Sequence, residues 1–338
     1  MTLYGGIDLH ANNSVLVIID DQDHVVEQKR LPNDLESIVA RLAPHDAQLS
    51  GLVVESTYNW YWLVDGLMEA GYCVHLANTA AIQQYAGIKY TNDFSDAQWL
   101  AHLLRLGILP EGYIYPKEER GIRDLLRKRM QLVQHRTSHL LSIQTQAARH
   151  TGHTWSANRI KQLTGEDVEA EITEPYLALA ITSNLKVLTC LSEQIAQLEK
   201  AIKKQVKLKA AFEALKTVPG IGDILSMTIM LETGEIGRFP SVSDFASYCR
   251  CVGSERLSNG KRKGRGNTKN GNKYLAWAFV EAANFAVRFH PQIKRYYQRK
   301  AAKTNTIVAT KTVAHKLARA CFYIMRDQVP FDVKLGFG

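Results

Sequence analysis

Four carboxylates in the first third of the chain have the residue types and the spacing of a divalent-metal site. Asp8 lies in the apolar segment Gly-Gly-Ile-Asp-Leu-His, and Glu55 ends the apolar run 52–54. Asp93 and Asp96 are three residues apart, so on a helix they project from one face. Carboxylate oxygens bind Mg²⁺, which can activate the attacking oxygen and stabilise the leaving oxygen of a phosphodiester.

Each of these acids also has a structural explanation when it is taken alone. Asp8 could cap a turn, and Glu55 could be an exposed charge at the end of a strand. Asp93 and Asp96 could be the N-cap and a first-turn acid of a helix. However, an ionised carboxylate on a buried strand must be paired or must bind a metal. The order along the chain (Asp on the first strand, Glu on the fourth, paired Asp on a later helix) therefore favours a metal site.

The Gly-rich basic segment 253–271, which we expect to be a loop, holds a candidate nucleophile. Ser258 could attack a phosphodiester if neighbouring cations stabilised the negative charge that develops on the phosphoryl group. Ser254 fits this chemistry equally well, and a phosphate-binding loop with an uninvolved serine is the structural alternative. The candidate nucleic-acid contacts of this region are Arg256, Lys261, Arg262, Lys263, Arg265, Lys269 and Lys273.

The charge distribution favours a polyanionic partner for the C-terminal part of the chain. The net charge is +9, and residues 288–334 carry eleven Lys and Arg against Asp327 and Asp332. The 338 residues, 46% of them hydrophobic, suffice for two or three domains. We find no apolar run of membrane-spanning length and no signal-peptide pattern, so we expect a cytoplasmic protein without membrane contact.

The five cysteines are scattered and odd in number, so they predict no disulfide framework. Cys249 and Cys251 are the only close pair, and their spacing is shorter than that of zinc sites, which favours buried thiols.

Residues 4–106 read as alternating strands and helices. Short β-rich segments at 4–9, 14–20 and 24–31 are followed by a helix near 34–43, a strand at 51–55, a helix near 59–70, a strand at 73–77 and a helix near 94–106. This order predicts an α/β ribonuclease-H-like (RuvC-like) domain over residues 1–112. In such a sheet the first and fourth strands are neighbours, so Asp8 and Glu55 would converge.

Residues 113–210 are predicted to form a helical, coiled-coil segment. Helices are expected over 117–150 and 176–208, with a polar loop or mobile insertion at 151–174. The second helix has apolar residues at heptad spacing, namely Leu188, Leu191, Ile195, Leu198 and Ile202. Such a heptad seam fits either a coiled-coil contact between subunits or a helical hairpin within one chain.

Residues 211–338 are predicted to be a mostly α-helical domain. The segment Val-Pro-Gly-Ile-Gly at 218–222 is typical of helix–hairpin–helix modules, in which Gly220 and Gly222 would let backbone N–H groups approach a phosphate. A tight turn between helices without a ligand explains the segment equally well. Further helices are expected through about 231 and around 241–250, 273–289 and 306–327.

These residues together resemble the DEDD-type transposases of bacterial insertion sequences, the bridge-RNA-guided serine recombinases. The resemblance covers nearly the whole chain, and the ordered set of its motifs is specific. The motifs are Gly-Ile-Asp at 6–8, Val-Glu-Ser-Thr-Tyr at 54–58, Asn-Asp-Phe-Ser-Asp-Ala at 92–97, Val-Pro-Gly-Ile-Gly at 218–222, Phe-Ala-Ser-Tyr at 245–248, Ser-Asn-Gly at 258–260, Lys-Asn-Gly-Asn at 269–272 and Val-Pro-Phe-Asp at 329–332.

The resemblance implies roles for individual residues. Asp8, Glu55, Asp93 and Asp96 match the family's Mg²⁺-binding acids, and Ser258, rather than Ser254, matches its catalytic serine. Asn259 separates Ser258 from Gly260, whereas in some members the glycine directly follows the serine.

The resemblance also implies a mechanism and partners. Ser258 would form a covalent phosphoserine link to DNA. A tetramer, a dimer of dimers associated with the bacterial nucleoid, would hold donor and target DNA in composite sites. A structured noncoding bridge RNA would select both DNAs.

Three other functions remain open from the sequence. The segment 6–10 is similar to the phosphate loop of actin-like ATPases, although a second Gly-rich phosphate loop is missing. A metal-dependent junction resolvase or nuclease that uses water needs only the N-terminal acids. A nonenzymatic nucleic-acid-binding protein would need no metal at all.

Overall fold

A computed structural model describes residues 1–82, 92–206, 209–253, 255–265 and 270–337. Its contacts divide the chain into two compact units. The first comprises Met1–Lys117 with Gly264–Asn270, and the second comprises Glu118–Lys263 with Gly271–Gly338.

The first unit is built on a mixed five-stranded sheet. Its strands are β1 (Leu3–Leu9), β2 (Asn13–Ile19), β3 (Val25–Pro32), β4 (Leu49–Glu55) and β5 (Val74–Ala77), in the spatial order β3-β2-β1-β4-β5. The pairs β1–β2 and β2–β3 are antiparallel, whereas β1–β4 and β4–β5 are parallel. The predicted element order and the predicted adjacency of the first and fourth strands are confirmed.

Helices cover both faces of this sheet. They are α1 (Leu35–Leu42), α2 (Tyr61–Glu69) and α3 (Asp93–Arg105). Alternate strand residues such as Ile7 and Leu16 pack with α1 and α2, whereas Val15 and Val17 pack with α3. Because successive strand residues point to opposite faces, a continuous apolar run such as that of β2 indicates a strand buried on both sides.

A glycine permits the close approach of α3 to the central strand. A Cβ atom on Gly6 of β1 would lie 2.0 Å from the carbonyl oxygen of Ala97 and 2.9 Å from the backbone nitrogen of Ala101. No side chain fits at that distance, so α3 packs directly on the β1 backbone.

The second unit begins with two long antiparallel helices, α4 (Lys117–Thr151) and α7 (Pro175–Val206). Arg129 on α4 forms a 2.6 Å ion pair with Glu199 on α7, and His139 lies within 2.7 Å of Asn184. Of the predicted heptad seam, Leu188, Ile195 and Ile202 are buried within the single chain. The helices α4 and α7 therefore form a hairpin within one chain. A coiled coil between subunits stays a prediction.

The prediction of a loop over 151–174 is wrong. The segment contains the short helices α5 (Ala157–Ile160) and α6 (Gly165–Glu171). Trp155, Ile160 and Val168 pack with residues of α4 and α7 in one apolar cluster. The apolar residues are too few and too widely spaced to show a helical period, but capping residues Ser156 and Thr164 start both helices.

The remaining helices pack around one large apolar core. They are α8 (Ala210–Lys216), α9 (Asp223–Thr233), α10 (Val242–Tyr248), α11 (Lys273–Phe289), α12 (Pro291–Lys303), α13 (Thr306–Asp327) and α14 (Val333–Phe337). The predicted helices near 223–231, 241–250, 273–289 and 306–327 are confirmed, whereas α8, α12 and α14 were not predicted. Cys249 is buried in this core and Cys251 is half-buried, as expected of packed thiols.

A buried polar network lies within this core. Glu232 of α9, 2% exposed, accepts two hydrogen bonds from Arg127 at 2.6 and 2.7 Å and one from Asn272 Nδ2 at 2.8 Å. Asn272 caps α11 with its side-chain oxygen, and its backbone N–H donates to the carbonyl of Tyr248 at 2.6 Å. A buried carboxylate is tolerated because charged and neutral donors surround it.

Within the described part of the chain, we find no helix with the length and apolar character needed to cross a membrane.

The contact at Gly6 generates a stability prediction. Gly6→Ala should destabilise the protein by about 2–3 kcal/mol, because the added methyl group must displace the backbone of α3. Gly5→Ala is the matched control, since its methyl group would meet the end of the Leu52 side chain, which can shift. Urea unfolding of both variants, followed by circular dichroism, measures the difference. Equal stability of the two variants would contradict the close packing of α3.

Candidate functional site

Two of the predicted metal ligands are brought together by parallel strand pairing. Ile7 of β1 is in register with Val54 of β4, so the next residues, Asp8 and Glu55, stand side by side. Asp8 is 4% exposed and Glu55 is half-buried. In the protonated form, the Glu55 carboxyl hydrogen-bonds to Asp8.

The first turn of α3 adds the other two acids. Asn92 caps the helix by accepting from the Ser95 backbone N–H at 3.0 Å, and Ser95 Oγ accepts from the Asn92 N–H at 2.8 Å. This capping box fixes the helix start, so Asp93 and Asp96 occupy the first turn, where acids are favourable. The alternative that Asp93 is the N-cap is wrong, since Asn92 is the cap, whereas Asp96 is a first-turn acid as that alternative held. A place in the first turn does not exclude a role in metal binding.

Three of the four acids line one cleft. Asp8, Glu55 and Asp96 surround a space of about 360 Å³ together with the side chains of Thr79, Ile82, Trp99 and Leu100. Asp93 is not part of this lining. The structure thus brings together three of the predicted ligands and gives the fourth different neighbours.

Asp93 contacts Arg30 and His10 instead. Its Oδ2 accepts a 2.5 Å hydrogen bond from Arg30 Nη2 and lies 3.4 Å from His10 Nε2. His10 Nε2 is also 3.3 Å from Asp8 Oδ2. We did not predict Arg30 or His10 as site residues. The position of His10, two residues after Asp8 at the end of the same strand, was an available signal.

The crowding of carboxylates changes their proton affinities. Burial, with a hydrogen bond to Asp8 and repulsion from Asp8 and Asp96, raises the pKa of Glu55 to about 8. Burial and the charges of Asp8 and Asp93 raise the pKa of Asp96. The hydrogen bond from Arg30 lowers the pKa of Asp93.

The arrangement fits a divalent ion in the cleft. Burial and the neighbouring carboxylates raise the pKa of Glu55 and of Asp96, so the negative charge at this point of the fold is only partly compensated by the described residues. A cation bound between Asp8, Glu55 and Asp96 would supply the remaining positive charge, and oxygen ligands suit Mg²⁺ or a similar hard ion.

The predicted loop around Ser258 is a β-hairpin. Its strands are β6 (Glu255–Ser258) and β7 (Lys261–Arg265), which pair with each other. Asn259 and Gly260 form the turn with φ values of 52° and 69°, which is the backbone that Asn-Gly adopts in two-residue hairpins. This dipeptide was a signal for the hairpin that the sequence analysis missed.

Ser258 is exposed at the end of β6, in the second unit, whereas the acids lie in the first. Lys261, Lys263 and Lys273 are exposed as well. The structure describes only the backbone of Arg256, Arg262 and Arg265. Ser254 and Lys269 lie outside the described residues.

Gly220 and Gly222 have different surroundings. Gly220 has a φ of 88°, and a Cβ there would lie 2.3 Å from the carbonyl oxygen of Ala282 on α11. Close helix packing is therefore sufficient to explain Gly220. Gly222 is exposed at the N-terminus of α9, but Asp223 follows it and would repel a phosphate. Phosphate binding at these glycines stays a prediction.

The helix α12 carries a cationic surface that the sequence analysis did not resolve. Lys294, Arg295, Arg299 and Lys303 are exposed on it, and the helix contains no acid. We find no ion pair of these four side chains with any described residue.

Comparison with known proteins gives two family models that match separate parts of the chain, the first of which extends beyond the first unit into α4. A family model for the DEDD transposase domain of IS110 elements matches residues 5–148, which include all four acids. A model described as Transposase IS116/IS110/IS902 family matches residues 212–298, which include Ser258.

Three curated relatives are similar to the chain. The "Transposase for insertion sequence element IS1328" of Yersinia enterocolitica is 26% identical over 177 residues, which cover 51% of this chain and 53% of the relative. The "Putative transposase y4qE" of Sinorhizobium fredii is 25% identical over 241 residues, which cover 70% and 57%. An IS110 insertion-element protein of Streptomyces coelicolor is 23% identical over 163 residues, which cover 48% and 40%. The chain thus spans about half the length of the curated relatives it matches.

The raised pKa of Glu55 generates a prediction on pH. Below the ordinary pKa of a glutamate the carboxyl is protonated in both the folded and unfolded states, and its full stabilising contribution is present. That contribution is lost progressively as the pH rises to about 8, because over this range the unfolded state has released the proton while the folded state still holds it.

With a chelator present, the free energy of unfolding should therefore fall between pH 5 and 8.5, and Glu55→Gln should flatten this dependence. Glu36→Gln, at an exposed position on α1, is the control and should leave it unchanged. Urea unfolding at a series of pH values measures the slopes. If the free energy of unfolding depended on pH equally in the wild type and in Glu55→Gln, Glu55 would be ionised in the folded protein.

Proposed function

We propose that this chain, which belongs to the IS110 family of transposases, cleaves and rejoins DNA during transposition of an insertion sequence. The convergence of Asp8, Glu55 and Asp96 on one cleft is the observation that carries this proposal. It lies within the part of the chain that the DEDD transposase model matches.

In this proposal, Asp8, Glu55 and Asp96 hold Mg²⁺ in the cleft, and Asp93 lies next to the same site. When bound, the ion would lower the energy of charge developing on the oxygens of a phosphodiester. The protein's own contribution is to hold three carboxylates together where β1 and β4 end and α3 begins. The proton on Glu55 must leave when the ion binds, since metal ligands bind in the ionised form.

Ser258 is the proposed nucleophile. Its Oγ would attack phosphorus and lose its proton, while the bond from phosphorus to a deoxyribose oxygen breaks and that oxygen becomes a hydroxyl. The reverse reaction, with the hydroxyl of another strand, would release the serine and rejoin the DNA. The exposed position of Ser258 at a hairpin end allows a bulky duplex to approach it.

The proposed nucleic-acid partners are donor DNA, target DNA and a structured guide RNA. Exposed Lys261, Lys263 and Lys273, with the cationic face of α12, provide contacts to a phosphate backbone. Such contacts do not read sequence, and their affinity falls as the salt concentration rises. A guide RNA that selects both DNAs by base pairing is consistent with a surface of this kind.

A second function is a metal-dependent nuclease that uses water, with Ser258 uninvolved. It is favoured by one observation: no described residue hydrogen-bonds to the Ser258 hydroxyl. Activation of this serine would then depend on a group that approaches only in the complex with nucleic acid.

The two mechanisms differ in the fate of Ser258→Ala. We expect this variant to lose DNA cleavage by at least about 1000-fold, because the attacking atom is removed, while it still binds nucleic acid. Ser243→Ala, at an exposed position on α10, is the matched control. The measurement is a denaturing gel of the protein with element-end DNA, its flanking transcript and Mg²⁺, which detects protein linked covalently to DNA. Cleavage by Ser258→Ala at the normal rate would favour the nuclease that uses water.

We further propose a homo-oligomer that assembles through α7. The burial of Leu188, Ile195 and Ile202 within the chain leaves Leu191 and Leu198 of the heptad seam half-exposed. These two leucines are seven residues apart, which places them on one stripe of the helix.

Leu191→Asp combined with Leu198→Asp should therefore lower the mass measured by light scattering, because two charges would face the partner helix. Lys200→Asp, at an exposed position of the same helix, is the control for a change in charge. An unchanged mass for the double variant, with normal circular dichroism, would assign both leucines to the intramolecular hairpin.

A further inference from the structure

A thiol, an imidazole and a carboxylate lie in a row at the edge strand β5 of the first unit. Cys73 immediately precedes β5, and His75 is the second residue of that strand. The sulfur of Cys73 is 3.5 Å from His75 Nε2, and the other ring nitrogen, Nδ1, is 3.1 Å from a carboxylate oxygen of Glu111. An activated nucleophile consists of these parts: the nucleophile, a base within hydrogen-bond reach and a third group that orients the base.

Strand pairing places the three groups on one face of the sheet. His75 is in register with Val53 of β4. Glu111 forms an antiparallel bridge with Ala77 at the end of β5. Alternate residues of a strand share a face, and bridged residues lie opposite each other, so Cys73, His75 and Glu111 project from the same side.

A glycine on β4 leaves room for the imidazole. A Cβ atom on Gly51 would lie 3.2 Å from His75 Nε2 and 3.3 Å from the Leu104 side chain of α3. The His75 side chain is 25% exposed, whereas Cys73 is exposed. The base is therefore held in place by its surroundings while the thiol can be reached from solvent.

A cavity of about 250 Å³ adjoins the thiol, and its lining includes Cys73, Leu49 and Gly71. Of the described residues that line it, only Asp46 carries a charge, and its carboxylate accepts a 2.6 Å hydrogen bond from the Tyr72 hydroxyl. The cavity offers space for a small group that becomes attached to the sulfur of Cys73.

We propose that Cys73 is a modification site for small disulfides, with His75 as the base that takes its proton and Glu111 as the residue that positions the ring. The Cys73 sulfur attacks one sulfur of the disulfide, and a new S–S bond forms while the original one breaks. The proton passes from Cys73 to His75 and then to the leaving thiolate. The products are a mixed disulfide on Cys73 and one free thiol, as in any thiol–disulfide exchange.

This modification is separate from the proposed DNA cleavage. Cys73 precedes the first residue of β5, whereas Glu55 of the acidic cleft is in register with Ala77 at the other end of that strand. The exchange needs neither a metal ion nor DNA.

The experiment compares Cys73 with Cys190, which is exposed on α7 and has no hydrogen bond to a described histidine. The full chain is incubated with hydroxyethyl disulfide near neutral pH, without metal or DNA. Samples quenched in acid are digested, and mass spectrometry gives the rate of modification at each cysteine. Because an ordinary thiol is only a few per cent ionised at about pH 7, Cys73 with its base should react about 10-fold faster than Cys190.

His75→Gln, which keeps a polar side chain but no base, should lower the rate at Cys73 to that at Cys190. At about pH 10 a thiol ionises without a base, so the wild type and His75→Gln should react equally there. His24→Gln, 74% exposed next to β3, is the matched control and should react as the wild type does at both pH values.

Glu111→Gln should give an intermediate rate near neutral pH and the wild-type rate at about pH 10, because the ring loses only the carboxylate that orients it. Glu36→Gln, exposed on α1, is its control. An unchanged rate for Glu111→Gln would overturn the positioning role of Glu111.

The proposal as a whole is overturned if Cys73 reacts no faster than Cys190, or if His75→Gln keeps the wild-type rate near neutral pH. Equal slowing of His75→Gln at both pH values would overturn it too, since the histidine would then control access to the thiol and not its proton.

Discussion

The direct contact between α3 and the backbone of Gly6 is the constraint on which the acidic site depends. Gly6 lies two residues before Asp8 on β1, and the atoms that it touches belong to Ala97 and Ala101, which follow Asp96 on α3. A side chain at position 6 would hold the helix away from the sheet. The distance between Asp96 and Asp8 is therefore set by a residue that has no side chain of its own and is not among the proposed ligands.

This packing forces negative charges together, and the fold offers two kinds of compensation. Glu55 retains a proton, since its pKa is raised to about 8, and this proton reduces the repulsion with Asp8. Asp93 is neutralised differently, by the guanidinium of Arg30. A divalent ion would replace both forms of compensation at once. The folded chain therefore compensates the charge of these carboxylates without an ion, and the proposed ligands are already close together before one binds.

The sequence predicted the parts of this arrangement that depend on local pattern. The apolar run before Glu55 and the alternation of strands and helices were sufficient to place Asp8 and Glu55 on neighbouring strands. The partners of Asp93 were not predictable in this way, because Arg30 comes from an edge strand 63 residues away. The helix α12 was missed because Ile293 is its one fully buried described residue, and the partly buried Tyr296 and Tyr297 that share its face stand among many cations. Around Ser258 the high density of basic residues led us to predict a loop, whereas the Asn-Gly dipeptide that follows the serine is the sequence signal for the hairpin that the structure has.

The second unit holds the ends of the serine-bearing segment while leaving its turn exposed. Arg250 donates a 2.8 Å hydrogen bond to the carbonyl of Gly271, whose φ of 86° and close approach to Tyr248 admit only glycine there. Asn272 then joins this point to buried Glu232. Residues 250 and 272 are therefore fixed to the helical core through hydrogen bonds to buried groups. If Ser258 acts on DNA as proposed, this arrangement would fix residues 250 and 272 at the two ends of its segment while its hydroxyl remains accessible.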